Sequence, residues 1–317
     1  MTVASPRLAQ RVQLKDKHII TRMMEIASDL DDVIKLGRGD PDLDTPEHIV
    51  RAGQEALGRG ATHYTNPIGI PELRQAIADN IVTHGGAQYS PENIVVTPGG
   101  QQAMFIIALG LLDPGDELLI PCPGYNPYLQ AAELTQAKLV EIRTSMETNF
   151  TITAEMVRQH ITPRSKVLVL INPGNPTGSV IPPEEVSRIC EVAKEHDLIV
   201  VSDEIYARIT YDDHRAQPVA VLPGMHERTI TLSGVSKAYA MTGWRVGYFA
   251  GPADLMPALS EIHHAFAIST SAVGQYAALA ALTGPQDCVE EIRQTFDKRR
   301  KVLCAGLGRL GIPSAKP

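Results

Sequence analysis

Lys237 sits in the stretch Gly234-Val235-Ser236-Lys237, directly after the β-rich run TITLS, and Arg245 follows eight residues later. A lysine just past a buried strand is partly desolvated, which lowers its pKa and frees the amine to attack an aldehyde. An arginine close by can hold a phosphate dianion through two parallel hydrogen bonds. Asp203 ends the run LIVVSD, with Tyr206 three residues further on. A carboxylate facing a pyridine nitrogen keeps that nitrogen protonated and turns the ring into an electron sink. A phenol within reach can hydrogen-bond an oxygen on the same ring.

Three further segments follow apolar runs. In Asn172-Pro173-Gly174-Asn175-Pro176-Thr177-Gly178, two prolines and two glycines stiffen a loop from which the Asn175 amide can donate. Thr97-Pro98-Gly99-Gly100-Gln101-Gln102 lies between a strand and a helix, where backbone N–H groups form an anion cradle. Cys122-Pro123-Gly124-Tyr125-Asn126-Pro127-Tyr128 offers Tyr125 as an aromatic able to stack on a ring. Each has an ordinary reading as well: a surface lysine, a helix-capping aspartate, a plain turn, a packing tyrosine. Together they supply phosphate donors, a stacking group, two donors to a ring oxygen, a pyridinium partner and an amine for a Schiff base. That set matches pyridoxal 5′-phosphate (PLP), and no other common cofactor needs all of it.

The elements that must position these residues are short β-rich runs alternating with helical patterns. Strands are expected at Asn93–Thr97, Glu117–Ile120, Lys138–Ile142, Val167–Ile171, Leu198–Ser202, Thr229–Leu232 and Val246–Ala250, with helices such as Gly100–Leu112, Glu184–His196 and Asp254–Phe266. Nearly continuous apolar runs such as Val167-Leu168-Val169-Leu170-Ile171 fit strands buried on both faces, hence an α/β domain with a mostly parallel seven-stranded sheet flanked by helices. The sites then fall outside the carboxyl ends of strands, where open α/β sheets bind ligands. We expect residues 1–45 as an N-terminal segment, 46–284 as the large domain, and 285–317 as a long helix, from about Gln286 to Leu310, leading into a small domain.

Composition narrows the alternatives. The 317 residues are 44 % hydrophobic, enough for a packed core, and the net charge of −7 is mixed rather than blocked. Neither a nucleic-acid footprint nor a membrane-binding patch is expected. No apolar run reaches the roughly 18 residues of a spanning helix, and the polar start MTVASPRLAQRVQ lacks a secretory apolar core. Cys122, Cys190, Cys288 and Cys304 are widely spaced, which argues against a disulfide framework or zinc knuckle and for buried reduced thiols in a cytoplasmic protein. His263-His264 point about 100° apart on a helix, so a solvated or capping role is expected there rather than a metal site.

Seven motifs in order, LGRGDPDLDTP, HYTNPIGIPELR, TPGGQQA, PGYNPY, NPGNPTG, SDEIY and SGVSKAYAMTGWRVGY, are identified as those of the class I/II, fold-type-I PLP-dependent aminotransferases. The resemblance runs from about Leu36 to the last residue. It implies Lys237 as Schiff-base lysine and general base, Asp203 as pyridinium partner, and Tyr206 and Asn175 as ligands of the 3-oxygen. It further implies Arg245, Ser236 and the backbone at Gly100 and Gln101 around the phosphate, with Tyr125 stacked on the ring. Gly39 and Asn175 would border the substrate. Tyr64 would reach the phosphate of a neighbouring subunit, which implies a homodimer with shared active sites.

The implied reaction moves an amino group from an L-amino acid to a 2-oxo acid. Within the same scaffold a C–S β-lyase is the nearest alternative, and a PLP-binding protein without turnover is another. The family's C-terminal small domain carries an arginine that clamps the substrate carboxylate. The sequence as given stops at Ala315-Lys316-Pro317, so we expect most of that domain to lie beyond it. Gly234 stands where other branches have a phosphate-binding serine. Gln101 stands where aspartate-specific bacterial relatives often have lysine. A neutral amide cannot pair with a second carboxylate, so broad specificity for neutral, aromatic or dicarboxylic amino acids is expected.

Overall fold

The computed structural model describes residues 7, 9, 11, 19–30, 32–34 and 39–317. Of LGRGDPDLDTP, Leu36, Gly37 and Arg38 therefore lie outside the described residues. The chain divides into two compact units, Met1–Asp42 and Leu43–Pro317. The first contains helix α1 (Ile19–Ser28).

Among the described residues the second unit has seven strands: β1 (Ile94–Thr97), β2 (Glu117–Cys122), β3 (Lys138–Arg143), β4 (Ser165–Ile171), β5 (Ile199–Asp203), β6 (Thr229–Gly234) and β7 (Gly247–Ala250). They form one sheet in the order β1-β7-β6-β5-β4-β2-β3. The pairs β2/β3, β2/β4, β4/β5 and β5/β6 are parallel, whereas β7 runs antiparallel to both β6 and β1. All seven strands anticipated from the apolar runs are present, with ends displaced by no more than two residues. Helices α2 (Glu47–Gly58), α3 (Pro71–Thr83), α4 (Gly100–Leu111), α5 (Asn126–Thr135), α6 (Ala154–His160), α7 (Pro183–Glu195), α8 (Met256–Ala267), α9 (Ala272–Thr283) and α10 (Asp287–Arg309) complete the unit.

Strand residues alternate between two packed faces, which is why β4 has no polar side. Val167, Val169 and Ile171 pack with Ile107 of α4, Tyr128 of α5 and Leu259 of α8. Leu168 and Leu170 pack with Val186 and Ile189 of α7 on the other face. At the β1 end, Ile94 and Val96 meet Leu73 and Ile77 of α3 and Ala277 of α9. Each such side chain contributes roughly 1.5–3 kcal/mol by leaving water. In β5 the same alternation puts Val201 with the α4, α5 and α8 helices and Val200 with α7. Asp203, two residues after Val201, therefore faces α4 and α5.

Two expectations need correction. His263 is fully buried rather than solvated, because Met256, Leu259 and His263 lie on one face of α8. Its neighbour His264 is exposed and meets the helix-ending Ile268 carbonyl at 3.4 Å, as a cap does. All four cysteines are free, but only Cys190 is buried; the others are half-buried. Burial pushes the Cys190 thiol up to about 12. Among the described residues no His, Cys, Asp and Glu group could hold a metal ion, and no helix is long and apolar enough to cross a membrane.

One close backbone contact joins the sheet to the start of α4. Gly247 pairs with Thr97 on one side and Gly234 on the other. A Cβ at Gly247 would overlap the Gly100 amide nitrogen and lie 2.6 Å from the Gly99 carbonyl carbon. Backbone cannot swing aside as a flexible side chain does, so Gly247→Ala should cost about 1–3 kcal/mol or more in denaturant unfolding. An unfolding midpoint equal to that of the unsubstituted protein would contradict this close contact.

Candidate functional site

The carboxyl ends of β4, β5 and β6 meet at one edge of the sheet, where Ile171 pairs with Asp203 and Asp203 with Leu232. Asp203 is 4 % exposed. Its Oδ2 accepts from the Tyr128 hydroxyl at 3.0 Å and its Oδ1 from the Ile205 amide at 3.2 Å. Both donors are neutral, and burial pushes the carboxyl up to about 6 despite them. Tyr128 was not singled out from the sequence. The available signal was its position three residues after Tyr125, which places both on adjoining turns at the start of α5. Tyr128 is 2 % exposed, and burial raises its hydroxyl far above the ordinary phenol range, with Asp203 adding to the effect.

Tyr206 follows Asp203 in a turn closed by Ile209 N–H to the Tyr206 carbonyl at 2.8 Å. The Asn175 side-chain amide donates to its hydroxyl at 3.2 Å. Lys237 Nζ lies 5.8 Å from the Tyr206 ring centroid. Burial raises the Tyr206 phenol to about 12, with the Asp203 and Tyr125 charges adding to it. The loop that mounts Asn175 is internally tied: Gly174 N–H donates to the Ser179 carbonyl at 2.8 Å, and Gly178 N–H to the Gly174 carbonyl at 2.9 Å. The Asn172 side-chain oxygen accepts from the Ile181 amide at 3.0 Å. Lys237 has a comparable mount, a turn in which Met241 N–H donates to the Ser236 carbonyl at 3.0 Å.

At the other end of the site, Gly99 precedes α4 with φ 82° and no side chain caps the helix. The first amides of α4 are thus available to an anion. Arg245 arches over this turn, donating from Nη1 to the Thr242 carbonyl at 3.1 Å and from Nη2 to the Pro98 carbonyl at 3.5 Å. A Cβ at Gly99 would overlap Arg245 Nη2, so glycine there serves both the backbone conformation and the guanidinium. Ser236 is buried close by in sequence to Lys237. Tyr125 caps α5 and meets Tyr128 edge-on, with centroids 6.4 Å apart at 76°. Burial and then the Asp203 charge raise its phenol, while Arg245 opposes them.

One expected site residue of the second unit, Tyr64, is not brought to this cluster. Tyr64 is 78 % exposed and lines an open groove with His63, Ser269 and Ser271. Gly39 belongs to the first unit and is exposed there. Gln101, in the first turn of α4, is exposed as well.

The sequence pattern described as aminotransferase class I and II matches residues 31–317. The chain belongs to this family. It is 39 % identical to an aspartate aminotransferase of Pyrococcus abyssi over 313 residues, 98 % of this chain and 80 % of that protein. It is 40 % identical to the aspartate/prephenate aminotransferase of Thermus thermophilus over 289 residues, 90 % of this chain and 74 % of that one. A solved structure of a Thermus thermophilus aspartate aminotransferase double mutant superposes with a TM-score of 0.93 at 38 % identity, covering 98 % of this chain and 82 % of that chain. The family and its fold explain the sheet, and PLP-dependent transamination is the family's chemistry.

The donor set fits PLP on grounds internal to this chain. A buried carboxylate with only neutral partners suits a cationic ring nitrogen, and a glycine-lined helix start beneath an arginine suits a phosphate. For the cofactor-free protein the sign of the pH effect follows. The Asp203 carboxyl titrates at about 6 when folded and near 3.8 when unfolded, so the folded state holds its proton more tightly. That stability is complete below about pH 4 and is lost as pH rises to about 6, by on the order of 3 kcal/mol. Asp203→Asn should therefore raise the melting temperature of the cofactor-free protein by a few degrees at pH 7.5 and not at pH 4, while weakening PLP binding. An equal or lower melting temperature at pH 7.5 would show that the charge carries no such cost.

Proposed function

We propose that this aminotransferase holds PLP on Lys237, and that the released Lys237 amine moves the substrate's α-proton. The observation that carries the proposal is the convergence of Lys237, Tyr206, Asn175 and Asp203 on one edge of the sheet. When bound, PLP supplies an electron-withdrawing ring that stabilises negative charge on the carbon next to the substrate nitrogen. Asp203 meets the ring nitrogen and keeps it protonated, and the new cation relieves the cost of the buried carboxylate. Tyr206 and Asn175 have their polar atoms 3.2 Å apart, close enough for one ring oxygen to accept from both. Arg245, the Gly100 and Gln101 amides and the Ser236 hydroxyl hold the phosphate, and Tyr125 packs on the ring face.

Asn175 borders the substrate in this reading. Tyr64, exposed on its own subunit, completes the phosphate site of a second copy, so the working form is a homodimer. The absence of disulfides fits a cytoplasmic enzyme. Relatives named for aspartate, prephenate and aromatic amino acids support substrates from those classes. The neutral Gln101 in the first turn of α4 favours breadth over strict dicarboxylate selection.

The test is a two-substrate assay with aspartate, phenylalanine or glutamate as donor and a 2-oxo acid as acceptor. Transamination predicts one new amino acid per 2-oxo acid formed and no turnover without acceptor. Lys237→Ala should lower kcat by at least about 10²-fold. Pyruvate and ammonia released from a sulfur amino acid without any acceptor would instead assign β-elimination.

A further inference from the structure

Gln286, at the start of α10, sits at a junction that none of the roles above uses. Its Nε2 donates to the Ala281 carbonyl at 2.9 Å and the Gly284 carbonyl at 2.8 Å, closing the turn between α9 and α10. With both N–H groups committed to carbonyls, the amide can face only one way. Its Oε1 then accepts from the Tyr239 hydroxyl at 2.8 Å and from Arg208 Nη2 at 3.3 Å. Arg208 Nη1 also meets the Tyr239 hydroxyl at 3.3 Å, and its guanidinium lies 5.9 Å from that ring's centroid.

The sequence positions give this junction its meaning. Tyr239 is two residues past Lys237 and Arg208 is two residues past Tyr206. Tyr239 is 2 % exposed and packs among Val235, Ala238 and Met241, so its ring fixes the turn that carries Lys237. Arg208 belongs to the turn that carries Tyr206, in which Ala207 N–H donates to the Glu204 carbonyl at 3.0 Å. Further along, the Arg300 guanidinium of α10 grips both Asp212 carboxylate oxygens at 2.9 Å. Arg293 Nη1 of the same helix donates to the Thr210 carbonyl at 3.4 Å. Helix α10 and its N-cap Gln286 thus hold the Tyr206 segment at three points and the Lys237 segment at one.

We infer that Gln286 and Tyr239 are positioning residues for the known reaction: the shared oxygen of Gln286 sets the distance between the Lys237 amine and the Tyr206 hydroxyl. The inference rests on the reading of Lys237 and Tyr206 as the imine lysine and a 3-oxygen ligand. A donor to the 3-oxygen stabilises its anionic form and lowers the pKa of the neighbouring imine nitrogen. A loosened Tyr206 gives part of that effect up, so the imine pKa rises. Arg208, Cys288, Tyr248, Glu204 and His84 are ionisable groups around the junction, and burial raises the Tyr239 phenol. Asp203, Tyr125 and Lys237 are those that bear on Tyr206.

The experiment is a pH titration of the lysine-bound PLP absorbance in the holoenzyme for the unsubstituted protein, Tyr239→Phe, Gln286→Leu and the double variant. Melting temperature and kcat and KM for an amino acid donor are measured alongside. Both single variants should raise the titration midpoint by about half a unit or more. The double variant should go no further than the larger single one, because both remove the same link. kcat should fall with KM nearly unchanged. Ile189→Val, in the α7 core on the far face of β4, serves as a control that lowers stability by about 0.5–1.5 kcal/mol without moving the midpoint. Unmoved midpoints in Tyr239→Phe and Gln286→Leu, with melting lowered as in Ile189→Val, would reduce the junction to a structural role and overturn the inference. If the unsubstituted protein shows no absorbance band that depends on Lys237, the underlying reading of the site fails first and the inference with it.

Discussion

A carboxylate buried at the end of a parallel strand is costly unless something answers its charge, and Asp203 is such a group. Strand alternation and the closing of α4 and α5 over the sheet remove it from water. Tyr128 and the Ile205 amide each supply one hydrogen bond but no charge. In the proposed reading a cationic ring nitrogen matches the remaining deficit. Around that requirement the other parts take their places: two donors from the loops after β4 and β5, an amine from the turn after β6, and an anion cradle where α4 begins. On that reading the polypeptide bears a destabilising charge in its interior, and bound PLP would relieve it while taking its chemistry from the same contact.

The arrangement succeeds because each functional side chain stands on backbone that is tied elsewhere. Asn175 rides on a loop braced by Gly174, Ser179 and the Asn172–Ile181 bond. Arg245 lies across Gly99, where no larger residue fits, and Gly247 allows the start of α4 to touch β7. These close approaches fix the start of α4, the proposed phosphate end, relative to the sheet, and Asp203 stands at the proposed ring end. The turn bearing Lys237 lies between them, held by the buried ring of Tyr239.

Much of this was legible in the sequence. The apolar runs mark all seven strands because parallel strands buried on both faces leave no polar alternation to blur the pattern. The chemistry-bearing residues are legible because they follow those runs directly, at strand ends where side chains converge. Other features depend on contacts that no local pattern encodes. The antiparallel insertion of β7 between β1 and β6 is a topological fact, invisible in a four-residue strand. His263 looked like one of a solvated pair, and only the packing of α8 shows that it faces inward. Tyr128 resembled any tyrosine on a helix until the fold placed its hydroxyl on Asp203, 75 residues away in the chain. The mutual contact of Gln286, Tyr239 and Arg208 likewise joins segments that are distant in sequence.

The central claim, that Lys237 is the residue on which PLP is held, is tested most directly by chemical trapping. The holoprotein is reduced with borohydride, digested, and its peptides are weighed. The account predicts a phosphopyridoxyl group on the peptide containing Lys237, absent from Lys237→Ala. Label distributed over surface lysines such as Lys138 and Lys301, with Lys237 unmodified, would contradict it.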